Sequence, residues 1–124
     1  MIGIGTDIVE IARVKRVWER QGRRFSERIL TTEELARLEA MPDPWRFLAK
    51  RFSAKEAVAK AFGCGIGASL RWHDIEIRSV STGKPLVNLS DSARSLAADL
   101  GGREILLSIS DEREYAVAFA VLIP

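Results

Sequence analysis

The chain has 124 residues, 47% of them hydrophobic, and a formal net charge of +2 from 19 basic and 17 acidic side chains. That size suits one domain over residues 1–124, and the charge balance excludes both a disordered polyelectrolyte and a polycation made for non-specific nucleic-acid binding. One cysteine, Cys64, and one histidine, His73, exclude an intrachain disulfide and speak against a Cys/His zinc centre. No segment approaches the roughly 20 apolar residues of a membrane helix, and the N-terminus carries no export pattern, so the expected location is cytoplasmic with no membrane partner. A core of this size gains from self-association.

Met1 to Gly5 reads as a short strand, with Asp7 in the loop that follows. From Ile8 to about Gln21 the apolar residues Ile11, Val14 and Trp18 recur at helical spacing. Arg13, Arg16 and Arg20 do the same on the opposite side, within about 60° of one another at 100° per residue, giving an amphipathic helix with a basic face. Thr31-Thr32-Glu33-Glu34 has the form of a capping box ahead of Leu35 and Leu38 and starts a second helix. Asp43-Pro44 supplies an N-cap and a first-turn proline for a third, the longest element, running without a breaker to Gly63.

Further on, Asp74 to Ser81 alternates Ile75, Ile77 and Val80 with polar residues, and Thr82-Gly83-Lys84-Pro85 turns the chain into Leu86-Val87-Asn88-Leu89, a hairpin. Ser90 or Asp91 caps a short helix ending at Gly101, and Ile105 to Ser110 and Tyr115 to Ile123 are strands around an Asp111-Glu112-Arg113-Glu114 turn. Helices early and strands late predict an α+β domain with a mainly antiparallel sheet.

Gly3-Ile4-Gly5-Thr6-Asp7 resembles the start of a dinucleotide-binding fingerprint, but Ile8 stands where the third glycine belongs, which rejects a Rossmann reading. Asp7 is open to two roles, capping the basic helix or holding a metal. The third helix carries apolar residues on nearly every side, so Arg51, Lys55, Glu56 and Lys60 are expected beside buried surface, where a charge needs a partner or a ligand. Glu56 and Lys60, spaced i,i+4, can also form a simple ion pair. Gly63, Gly65 and Gly67 permit either a phosphate cradle or an ordinary helix end.

Taken together, Gly3-Ile4-Gly5-Thr6-Asp7-Ile8, the run from Phe47 through Arg51-Phe52-Ser53-Ala54-Lys55-Glu56-Ala57 to Lys60-Ala61-Phe62-Gly63, and Gly83-Lys84-Pro85 resemble, in order and spacing, the bacterial holo-acyl-carrier-protein synthases, the short single-domain type of the 4'-phosphopantetheinyl transferase superfamily. The resemblance implies that family's fold and its reaction: transfer of 4'-phosphopantetheine from coenzyme A to a serine of an apo acyl carrier protein, with release of 3',5'-adenosine diphosphate. It implies Mg2+ on Asp7 and Glu56, Glu56 and Lys60 as the catalytic pair, and Lys60 beside the diphosphate. It also implies coenzyme A contacts at Arg51, Lys60, Gly63, Gly83, Lys84, Pro85, Ser110 and Asp111, a carrier-docking face at Arg13, Arg16 and Arg20, and a homotrimer with coenzyme A between subunits. Many members have His where this chain has Asp111.

These residues suit the chemistry, because a hard cation takes oxygen ligands and neutralises a diphosphate while a lysine adds a compact positive charge. The base for the serine proton is either Glu56 or a water on the metal. Two rivals remain: a non-catalytic coenzyme A or nucleotide-binding module, and a protein-interaction domain using the basic face. Whether the carrier serves fatty-acid or polyketide synthesis is left open.

Overall fold

Helix α4 (Pro44–Ala61) organises the fold, and the computed structural model describes residues 2–124 around it. Asp43 caps α4 by accepting from the Arg46 backbone N–H at 3.1 Å, and Pro44 occupies the first turn, where its missing donor has no cost. Ten residues of this helix are buried, including Leu48, Ala49, Ala54, Ala57, Val58 and Ala61. Two apolar clusters share it. One gathers Ile11, Val14, Phe25, Ile29 and Leu30 about its N-terminal half, and the other gathers Leu70, Ile75, Ile77, Ala93 and Leu122 about its C-terminal half.

Against α4 lies an antiparallel sheet in the order β1-β5-β4, formed by β1 (Gly3–Glu10), β4 (Glu104–Asp111) and β5 (Tyr115–Ile123). Its inner face is built from small residues: Ala116, Ala118 and Ala120 on β5 are buried, and Gly3 and Gly5 on β1 sit directly on the helix. A Cβ at Gly3 would overlap the Ala61 carbonyl oxygen and one at Gly5 that of Ala57, so glycine is required for β1 to lie so close. The outer face is apolar and open, with Ile4 at 52% exposure, Ile8 at 65% and Phe119 at 46%, beside Leu106 and Val117.

The remaining elements are α1 (Ile11–Gln21), α2 (Arg23–Ile29), α3 (Thr32–Glu39), a 3-10 turn at Trp72–Asp74, an antiparallel hairpin of β2 (Ile75–Ser79) and β3 (Pro85–Leu89), and α5 (Asp91–Asp99). The expected α+β class with antiparallel pairing is present, in two sheets instead of one. The capping box at Thr31 and Glu34 forms, and Ser90 caps α5.

Three expectations shift. The first strand runs on through Asp7 to Glu10, because β5 pairs with it along its whole length, so Asp7 lies within a strand opposite Ala118. Helix α1 therefore starts at Ile11 with Glu10 in the N-cap position, and Asp7 is not its cap. Helix α2, unforeseen, follows Gly22, which takes a positive φ of 63°. Among the described residues no helix is long and apolar enough to cross a membrane.

Candidate active site

Alternation along β1 sends Gly3, Gly5 and Asp7 to the α4 side and Ile4 and Ile8 outward. The glycines thus have a positional consequence: by letting β1 rest on Ala61 and Ala57, they bring Asp7 down beside Glu56. Asp7, Glu56 and Arg13 line one cavity of about 400 Å³, closed by Val9, Val14, Val17, Phe25 and Phe52. The sequence joins these residues to chemistry; the apolar wall from α2 and α4 is what the sequence reading missed.

The two carboxylates are held away from water. Burial pushes the Asp7 carboxyl up, against the opposing hydrogen bond and charge of Lys60. Burial also raises Glu56, and the neighbouring Asp7 charge raises it further, while Lys60 opposes both. Lys60 donates to the Thr6 carbonyl at 2.9 Å and to Asp7 Oδ1 at 3.2 Å. The alternative Glu56–Lys60 ion pair does not form; Lys60 pairs instead with Asp7, which β1 brings to α4. Asp7 Oδ2 is buried with no hydrogen-bond partner.

An orphaned carboxylate oxygen that shares a cavity with a second, charge-repelled carboxylate fits a hard divalent cation, which takes oxygen donors and relieves both costs at once. Among the described residues no cluster of three His, Cys, Asp or Glu side chains exists, so the protein offers two anionic donors and leaves the other positions to substrate oxygens and water.

The other proposed contacts lie apart from this cavity. Arg51 is buried, its guanidinium 4.6 Å from the centre of the Phe47 ring, and it borders a second cavity of about 310 Å³ with Arg37, Arg46, Lys50 and Ser79. Asp111 is tied to that group by Arg46 at 2.9 Å and Lys50 at 3.5 Å. Burial would push the Asp111 carboxyl up, but the Arg46 hydrogen bond and the charges of Lys50 and Arg46 outweigh it and hold it low. Arg46 also donates to the Glu112 and Arg113 carbonyls, fixing the β4–β5 turn, with Ser110 exposed just before it. Arg46 and Lys50 were legible only as charges on α4; their partner comes from the far end of the chain.

Gly63, at a φ of 82°, ends α4 one turn beyond Lys60 and bonds the Lys60 carbonyl at 2.9 Å. Gly83 and Lys84 form the exposed tip of the β2–β3 hairpin, with Pro85 opening β3. Arg13, Arg16 and Arg20 are all exposed on α1 and border a shallow depression with Val17 and Glu19.

Comparison with known proteins places this geometry. Residues 3–120 match the profile of a family described as the 4'-phosphopantetheinyl transferase superfamily, and the chain belongs to it. Within that class its relatives are holo-[acyl-carrier-protein] synthases. The protein of that name from Shewanella amazonensis is 52% identical over 122 residues, covering 98% of each chain. The crystal structure of the Neisseria meningitidis synthase superposes with a TM-score of 0.95 at 39% identity, covering 100% of this chain and 99% of that one. The Helicobacter pylori synthase, crystallised in complex with coenzyme A, matches with a TM-score of 0.85 at 33% identity over 96% of this chain and 98% of that one.

Proposed function

We propose that this chain transfers the 4'-phosphopantetheine group of coenzyme A to a serine hydroxyl of an apo acyl carrier protein in the cytoplasm, with Mg2+ held by Asp7 and Glu56. One observation carries the reading: two desolvated carboxylates share a cavity in which one oxygen, Asp7 Oδ2, has no partner. A site that bound only an anion would not gather negative charge beside it, which disfavours a non-catalytic coenzyme A module. Bound there, Mg2+ would supply Lewis-acid neutralisation of the diphosphate.

The chain's own groups do the rest. Lys60 exchanges its contact with Asp7 for the diphosphate of coenzyme A and stabilises charge on the departing nucleotide without moving a proton. Glu56 takes the proton from the serine hydroxyl as the new phosphorus–oxygen bond forms. The bond between the two phosphates breaks, and 3',5'-adenosine diphosphate leaves with the electron pair. The apolar wall of Val14, Phe25 and Phe52 keeps bulk water from competing with the serine.

The same reading includes a homotrimer with coenzyme A between subunits. Arg51 and Glu56 lie about 140° apart around α4, and Arg51 and Lys60 about 180°, at 100° per residue. One coenzyme A touching both sides is most simply met by two copies of the chain. The open apolar face of the β1-β5-β4 sheet supplies a surface for such contacts. Mass spectrometry of an apo carrier protein after incubation with this protein, coenzyme A and Mg2+ tests the activity. Addition of one phosphopantetheine is expected, and no mass gain across several carriers would sink the enzymatic reading.

A further inference from the structure

On the face of α4 turned from Asp7, the buried charges do not balance. Arg51 and Lys55 are both buried cations, and Glu34 is the one carboxylate within ion-pair distance of either among the described residues. Lys55 is fully satisfied: its ammonium reaches Glu34 Oε1 at 2.6 Å, the Ile29 carbonyl at 2.7 Å and the Trp72 carbonyl at 3.2 Å. The Thr31 backbone N–H shares the same Glu34 oxygen at 2.9 Å. The other oxygen accepts from the Ile77 N–H at 2.9 Å, which leaves Arg51 Nε 3.5 Å from it and without a hydrogen bond.

Nothing else makes up the deficit. Asp43, which lines that cavity, is paired with Arg46 at 3.4 Å, and Asp111 is engaged by Arg46 and Lys50. Burial lowers the Arg51 pKa, Glu34 opposes that, and Arg37 adds to it. A buried guanidinium with an unpartnered Nε, backed by Phe47 and opening on a cavity with three more cations, attracts an anion.

We infer that Lys55 is a positioning residue for coenzyme A affinity: by sharing the Glu34 charge it keeps that carboxylate from fully neutralising Arg51, so that the guanidinium stays available to a coenzyme A phosphate. The inference rests on the assignment of Arg51 to coenzyme A made above. It has a signature that a merely structural role lacks. Removing the Lys55 charge leaves the Glu34 charge to Arg51 alone and weakens coenzyme A binding, whereas removing the Glu34 charge strips Arg51 of its remaining counter-charge and tightens it.

Calorimetric titration of coenzyme A into the parent, Lys55→Met, Glu34→Gln and Arg51→Met proteins, without carrier, reads these signs. Loss of one charge-assisted contact corresponds to roughly tenfold in affinity, so Arg51→Met should bind about tenfold more weakly and Lys55→Met several-fold more weakly, while Glu34→Gln binds several-fold more tightly. Parent-like binding by Arg51→Met would remove Arg51 from the coenzyme A site and the inference with it. A loss for Arg51→Met together with losses for both Lys55→Met and Glu34→Gln would keep Arg51 in the site and overturn the sharing. If neither buried variant folds, nuclear magnetic resonance of the parent decides. Coenzyme A should shift the Arg51 Nε–H signal and slow its exchange while the Lys55 ammonium signal stays in place; a shift confined to Lys55 would refute the inference.

Discussion

Two carboxylates withdrawn from water, Glu34 of α3 and Asp7 of β1, have opposite surroundings. Glu34 accepts from two backbone N–H groups and from Lys55 and lies near Arg51, so every cost of its burial is offset within the protein. Asp7 has Lys60 on one oxygen and nothing on the other, with Glu56 adding repulsion. The same chemical group is fully partnered in one place and left incomplete in the other, and what separates them is whether the fold completes its hydrogen bonds.

The largest expected effect lies on the incomplete side. Asp7→Asn and Glu56→Gln each remove an anionic donor with little change of shape, and each should lower phosphopantetheine transfer by about 10²-fold or more while the circular dichroism spectrum is preserved. Parent rates across a Mg2+ titration would remove these residues from the site. On the completed side, Glu34→Ala leaves Lys55 buried and uncompensated and should cost about 3–5 kcal/mol in denaturant unfolding. A cost below about 1 kcal/mol would show that the pair is not the anchor its geometry indicates.

A smaller effect concerns the exposed basic face, which lies beside the incomplete site through Arg13. Reversing Arg13 and Arg20 to Glu should raise the Michaelis constant for an acidic carrier several-fold, barely change that for coenzyme A, and lose influence as salt rises. Equal changes for both substrates would argue against docking there.

The smallest effect is one of stability and pH. Asp7 and Glu56 have folded-state pKa values above their usual 3.8 and 4.5, so at these two sites the folded protein binds more protons than the unfolded chain, and their contribution to stability falls as pH rises through that window. Asp111, held low, works in the opposite sense: its contribution is present above 3.8 and is lost as pH falls below it. Asp7→Asn removes the first cost. Its melting temperature should exceed the parent's by about 2–4 °C near neutral pH, with the difference vanishing in acid. A less stable variant at neutral pH would mean that the Lys60 pair outweighs desolvation.

Much of this contrast was readable in the sequence, for local reasons. The Thr31–Glu34 capping box and the Asp43-Pro44 start announce their helices through nearest-neighbour chemistry, Glu56 and Lys60 stand out as charges beside apolar surface, and Asp7 as a carboxylate just after a strand. What was not legible depends on residues distant in the chain. The pairing of Lys60 with Asp7 instead of Glu56 needs β1 laid on α4, and the satisfaction of Lys55 needs carbonyls from Ile29 and Trp72. Strand β1 runs past Asp7 because β5, the last strand, pairs with all of it. Helix α2 was hidden by its length, although Phe25 and Ile29, four residues apart and both buried, were its signal. Gly3 and Gly5 were visible, but only as the start of a rejected dinucleotide-binding fingerprint; their role as a flat seat for β1 appears only once Ala57 and Ala61 lie beneath them.

The central claim is that Asp7 and Glu56 are incomplete because they hold a divalent cation in the working enzyme. Electron paramagnetic resonance of Mn2+, used as a spectroscopic substitute for Mg2+, measures it directly with coenzyme A present. The account predicts one bound ion per chain in the parent and loss of that ion in both Asp7→Asn and Glu56→Gln. Mn2+ binding of equal strength in the parent and the two variants would contradict it.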